Sequence, residues 1–295
     1  MGRSIVRSRF GSIILKGGGT VASLVLAPCV AHAAGITADS YENYVPGATT
    51  FYGQDYSQYQ SLATAPQAAL GPLDPDTGYG AITPFNPPYS TSDIMVIGSG
   101  GSLTLHLSAA ATSIGVYSNN GITDADQTNG SGLAPDPLSD SALFEPPSEA
   151  IVSVSSDGVH FTALNGGNPI VFDTPTNYWA DGPALSYDYQ SPGTIPANQD
   201  QPWYDPTSGN YGTLSSLSGM SYDQMLTTFN GSAGGTWLDT GTPVNYVEFS
   251  VPSDPSDDTR MVIDALGGVP APEPVSMSFF ASLGTGLLLR RRRRA

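Results

Sequence analysis

Alternation with a period of two constrains this chain more than any other feature. In "SLTLHLS", Leu103, Leu105 and Leu107 fall on one face, with Thr104 and His106 on the other. In "EAIVSVS", Ala150, Val152 and Val154 share a face. Successive side chains of a strand point to opposite sides, so these runs read as half-buried strands. "VHFTAL" follows after "SDG", and Asp157-Gly158 is a hairpin signal that predicts strands near 150–156 and 159–164. "VNYVEFSV" and "MVIDAL" predict a second adjacent pair, separated by the polar turn "PSDPSDDTR". "DIMVIG" and "TSIGVY" complete a set of roughly seven strands. With 34 glycines and 25 prolines, the chain is punctuated too often for long helices. One helix is expected at "SYDQMLTTF", with Ser221 as N-cap. The expected class is all-β, a sandwich or jelly roll, with a long loop-rich insertion at about 173–240. Residues 35–69 read as an N-terminal arm or extra strand, and 70–268 as the body.

Charge is distributed just as unevenly. Of ten Lys and Arg, nine lie toward the ends: Arg3, Arg7, Arg9 and Lys16, then Arg290, Arg291, Arg292, Arg293 and Arg294. Between residues 35 and 270 the chain holds 25 acids and one base, Arg260. Nucleic-acid binding needs basic groups that displace counterions, so this balance excludes it. An acidic surface keeps a protein soluble and attracts cations. The single cysteine, Cys29, lies in the leader, so the body must rely on a packed core rather than disulfides.

Both ends read as addresses. Residues 1–34 have a basic start, the short apolar run "TVASLVLAPCV" and the small residues Ala31 and Ala33 that signal peptidase reads. Cleavage is expected after Ala33 or Ala34. Leu26, three residues before Cys29, sets up a lipoprotein alternative that Pro28 fits poorly. At the other end, Pro272, Glu273 and Pro274 precede fifteen uncharged residues and then the five arginines. That apolar stretch is shorter than the about 20 residues of a comfortable span. A plain anchor with arginines held inside is the simple alternative. The three-part order resembles the PEP-CTERM sorting signal of Gram-negative bacteria. The resemblance implies transient anchoring in the inner membrane by a hydrophobic C-terminal helix, within a sorting signal at 270–295. It also implies recognition of Pro272–Pro274 by an exosortase, removal of the tail, and delivery to the outer surface or matrix, often beside exopolysaccharide.

The body carries a second likeness. "IGSGGSLTLHLS", "GVYSNNG", "EAIVSVSSDGVHF", "VNYVEFSVP" and "VIDALGGV" follow one another in an order that resembles bacterial cell-surface β-sandwich domains of the galactose-binding-like kind. This likeness spans about 70–266, and the stretch 173–240 departs from it.

Chemistry is harder to find. G-x-S-x-G, H-E-x-x-H and the P-loop are absent from the sequence. Without cysteine or lysine, the body cannot use thiol or Schiff-base nucleophiles. His106 and His160 are expected to face solvent. Carboxylates abound, so a hydrolase using a carboxylate pair stays as an alternative. "SNNGITDADQTNGSG" offers Asn119, Asp124, Asp126 and Asn129 as weak calcium ligands. Its match to an EF-hand loop is loose, because Gly130 falls one residue late and no Glu occupies the twelfth position. Asp254, Asp257 and Asp258 form a polar turn that Arg260 would neutralise. Tyr178, Trp179, Trp203 and Tyr204 sit among Pro, Asp and Gly. Such rings either stack on sugars or pin the insertion to the body. The expected protein is therefore exported and non-catalytic, with a structural or glycan-binding role at the cell surface or in the matrix. The alternatives are a calcium-dependent adhesive module and a carbohydrate-active hydrolase. No cofactor other than calcium is implied.

Overall fold

A computed structural model of the chain describes residues 36–51, 53–73, 82, 87–121, 147–176, 234–256 and 258–271. These residues are mostly strand, with three short 3-10 turns and almost no other helix, so the class is all-β. The first strands are β1 (Ile36–Val45), β2 (Thr50–Phe51), β3 (Gln54–Asp55), β4 (Met95–Gly98) and β5 (Ser102–Tyr117). Next come β6 (Ser148–Ser155), β7 (Thr162–Ala163) and β8 (Ile170–Phe172). The last are β9 (Thr236–Ser250), β10 (Arg260–Ile263) and β11 (Ala265–Pro270).

The main sheet has seven strands in the order β1-β11-β5-β9-β6-β7, with β8 also on β6 and β1 also on β5. "SLTLHLS" and "TSIGVY", expected as separate strands, are the two halves of β5. The ladder to β9 shifts register between His106 and Ser113. Small residues, Ala109 to Ala111, fill that stretch, and extra residues in one strand bend it without ending it.

The expected pairing of "VNYVEFSV" with "MVIDAL" does not occur. β9 pairs with β5 and β6, while β10 pairs with β4 (Met261 opposite Ile97). "MVIDAL" breaks at Asp264, and its last two residues start β11 on the other side of β5. Burial explains the change. All four residues of β4 and all four of β10 are buried, so this ribbon needs cover on both faces. Met95, Ile97, Met261 and Ile263 join the core of the main sheet with Leu103, Leu105, Leu107, Val152 and Phe249. Ile94, Val96 and Val262 form a second cluster, against which Tyr56 and Tyr59 pack. Burying each such side chain stabilises by about 1.5–3 kcal/mol. The segment read as an arm or extra strand thus supplies both a sheet strand, β1, and a cover for the ribbon.

Arg260 also departs from expectation. It is 1% exposed, and its guanidinium carbon lies 4.1 Å from the Phe51 ring centre and 4.5 Å from that of Tyr56. The acidic turn closes on itself instead. The Asp254 carboxylate accepts the Ser256 N–H at 3.0 Å and the Asp258 N–H at 3.3 Å. Asp257 lies outside the described residues. An arginine stem brings apolar packing and its planar head stacks on rings, so this cation is stable inside an aromatic cover.

The Asp157-Gly158 turn joins β6 to β7, as its sequence predicts, but is wider than a two-residue loop. The ladder closes at Val154 opposite Thr162. Asp157 Oδ1 accepts N–H groups from Val159 and His160, and Ser155 Oγ accepts those of Asp157 and Gly158. These side-chain bonds replace ladder bonds and open the turn. Gly158 has φ +73°, and a Cβ there would lie 3.0 Å from Cζ of Tyr246. Both facts require glycine.

Candidate functional site

The residues expected to act lie outside the described residues. These are Ala31 and Ala33 of the leader, and Asp124, Asp126 and Asn129 of the calcium loop. They also include Tyr178, Trp179, Trp203 and Tyr204 of the insertion, and the tail residues Pro272, Glu273, Pro274 and Arg290 to Arg294. The helix expected at Ser221 falls outside as well. Two stretches of chain, 122–146 and 177–233, hold the calcium and aromatic candidates, and the residues flanking both are described.

Those flanks meet. Thr176, fully buried, donates its hydroxyl hydrogen to the Ser118 carbonyl at 3.0 Å. Asn120 Nδ2 donates to the Phe172 carbonyl. Thr176 bridges Gly234, and the Gly235 N–H donates to the Pro175 carbonyl at 3.1 Å. Ser118, Asn120, Thr174 and Thr176 are all buried polar residues, and buried polar groups persist where they are hydrogen-bonded. The sheet therefore roots both candidate loops side by side, at the ends of β5 and β8 and the start of β9.

A groove of about 470 Å³ opens beside the second root. Ile170, Val171 and Trp237 give it apolar walls, and Asn165 and Asp239 add polar groups. Trp237 is held edge-on to Tyr117, with ring centres 6.2 Å apart, and its Nε1–H donates to the Gly234 carbonyl at 3.1 Å. An apolar wall with one amide and one carboxylate suits an amphipathic ligand. Sequence reading missed this groove, although "GGTWLDTG" carried both a tryptophan and a carboxylate next to glycines.

The outward face of the sheet gathers the body's two histidines. His106 Nδ1 lies 2.6 Å from Asp39 Oδ1, and its ring is edge-on to Tyr246 at 4.8 Å. His160 Nδ1 lies 2.8 Å from Asp157 Oδ2. His160 is exposed and His106 partly so, as expected from alternation. In each cluster a serine donates to the aspartate rather than to the imidazole: Ser40 to Asp39 at 3.1 Å and Ser155 to Asp157 at 3.0 Å. An activated serine needs the histidine between itself and the acid, so this order is wrong for a hydrolytic triad. Glu42, Thr104 and Glu248 lie opposite one another on β1, β5 and β9. Two strand spacings, roughly 10 Å, separate the two glutamates along that row. Buried Thr104 stands between them.

The hydrogen bond from His106 holds the Asp39 carboxyl below the usual carboxylate range, with Ser40 adding to the effect. A depressed folded value stabilises above the unfolded pKa and is lost as pH falls through the folded one. Asp39→Asn is therefore expected to lower stability slightly near pH 6. Denaturant unfolding at about pH 3 should show a smaller difference from wild type.

Among the described residues, no group of three or more His, Cys, Asp or Glu is placed to hold a metal ion. No helix among them is long and apolar enough to cross a membrane. In comparisons with known proteins, no family model, no curated protein and no solved structure matches the chain.

Proposed function

We propose that this is an exported, exosortase-processed β-sandwich protein of the cell surface or extracellular matrix. It acts by structure or glycan interaction rather than by catalysis. One observation carries the reading. The body's only guanidinium is enclosed by Phe51 and Tyr56, so no Lys or Arg between residues 35 and 270 reaches the surface. All remaining positive charge belongs to two end segments that have the form of delivery signals. The main sheet and the β4–β10 ribbon enclose one shared core, which fits a sandwich. Adjacent rooting of the 122–146 and 177–233 stretches favours a glycan-contacting loop surface, with calcium-dependent adhesion as the second reading. The wrong serine–aspartate–histidine order and the flat setting of Glu42 and Glu248 weigh against the hydrolase.

A glycan array with the mature protein, run with and without calcium, tests the interaction. Binding in both conditions supports a glycan role, binding only with calcium supports the adhesive module, and no binding leaves a structural role. Replacing Arg290 to Arg294 by Ser is expected to impair tail removal while leaving the body folded. Mass spectrometry that finds the same mature C-terminus in wild type and variant would contradict the sorting reading.

A further inference from the structure

The sheet reaches almost to the Pro-Glu-Pro triplet. Pro270, at the end of β11, lies opposite Ala111, and the Ala271 N–H donates to the Ala110 carbonyl at 3.0 Å. The next residue is Pro272. On the other side of β11, Ile36 pairs with Gly268 and is 4% exposed. The expected leader cut falls only one or two residues before Ile36. Both processed ends therefore abut one ladder, with almost no spacer.

A protease binds its substrate as an extended, unpaired segment, much as a strand is added to a sheet edge. Backbone already hydrogen-bonded in a ladder is not available for this, so cutting concentrates outside it. That removes the Pro270–Ala271 bond and everything before it. Bonds that precede a proline are poor targets as well, because the ring blocks the nitrogen and removes its N–H. That removes Ala271–Pro272 and Glu273–Pro274. A cut at Pro272–Glu273 would leave only Pro272 outside the ladder for the enzyme to hold. The first bond free of all three objections is Pro274–Val275.

Resting on the reading that an exosortase removes the tail, we infer that the scissile bond is Pro274–Val275. Water adds across it. The Pro274 carbonyl carbon gains the hydroxyl oxygen and becomes the new carboxylate. The C–N bond breaks, and the Val275 nitrogen leaves as the amine, carrying a proton from the water. The whole Pro-Glu-Pro triplet then stays on the mature body, and the enzyme reads it on the retained side of the cut.

C-terminal peptide mapping of the protein recovered from its native host tests this. The expected mature end is Pro274. A homogeneous end at Glu273 or earlier, or within the apolar stretch after Val275, would overturn this bond while leaving removal of the tail intact. A chain that keeps all five arginines would overturn the sorting reading and this inference together. A second arm tests the role of the ladder. A Cβ at residue 268 would lie 2.8 Å from Cβ of Ala111 and 3.3 Å from Cγ2 of Ile36, so Gly268→Val should pry the ladder's end apart. The variant is expected to give additional, earlier ends at or before Ala271. An unchanged single end in the variant would show that the ladder does not limit the cut.

Discussion

Arg260→Ala is expected to destabilise the body by about 3 kcal/mol, because desolvated cation–π contacts are worth about 2 kcal/mol each and the stem packing goes with them. For a domain of this size that lowers Tm by roughly 6–12 °C. The guanidinium lies against two rings that are themselves edge-on, with Phe51 and Tyr56 centred 5.9 Å apart. Removing the side chain leaves a void between the ribbon and its cover, and the surrounding rings close it only in part. Arg260→Lys should lose less, about 1–2 kcal/mol, since it keeps the charge but not the planar stacking. Differential scanning calorimetry of the three proteins checks the order. A wild-type Tm for Arg260→Ala would show that the cover, and with it the enclosure of the only body cation, has been misjudged.

Gly98→Ala is expected to cost at least as much. A Cβ at residue 98 would lie 1.8 Å from the Ala48 carbonyl oxygen and 2.8 Å from its carbon. The obstacle is backbone, and it is tied in place. Gly98 N–H donates to the Pro46 carbonyl at 2.7 Å, and Ala48 N–H donates to the Ser99 carbonyl at 2.9 Å. Gln60 Nε2 donates to both the Pro46 and Ala48 carbonyls at 2.9 Å. Relieving the overlap means separating the two segments, which adds lost hydrogen bonds to the usual about 1–3 kcal/mol of overpacking. A total of about 4 kcal/mol follows, or failure to accumulate as folded protein. Equilibrium urea unfolding measures it, and a shift under about 1 kcal/mol would contradict the close crossing. Gly98 pairs with Arg260 across the ribbon, so the two substitutions should not add.

The sequence made some of this legible for a plain reason. Alternation reports which face a residue takes, so Leu103, Leu105 and Leu107, and Ala150, Val152 and Val154, were readable as core. Alternation does not report a partner. "MVIDAL" gave no sign that Met261 would pair with Ile97 across the intervening chain, or that Asp264 would split the run. Arg260 misled for the same reason. Three aspartates stood next to it in sequence, whereas the rings that enclose it are some 200 residues away. The roots of the two candidate loops became visible only through long-range bonds such as Thr176 to Ser118. The groove at Trp237 depends on β9 and on the 164–171 segment together, and no local pattern joins them. The terminal signals were the most readable parts, because a leader or tail is recognised as a linear string and carries its meaning without a tertiary partner.

The central claim is that the basic ends deliver an anionic body to the cell exterior and are then removed. The most direct measurement is fractionation with intact-mass analysis in the native host and in a strain lacking its exosortase. The account predicts a surface or matrix protein without the arginine cluster in the host, and an inner-membrane protein that retains Arg290 to Arg294 in the deficient strain. The same location and the same mass in both strains would contradict it.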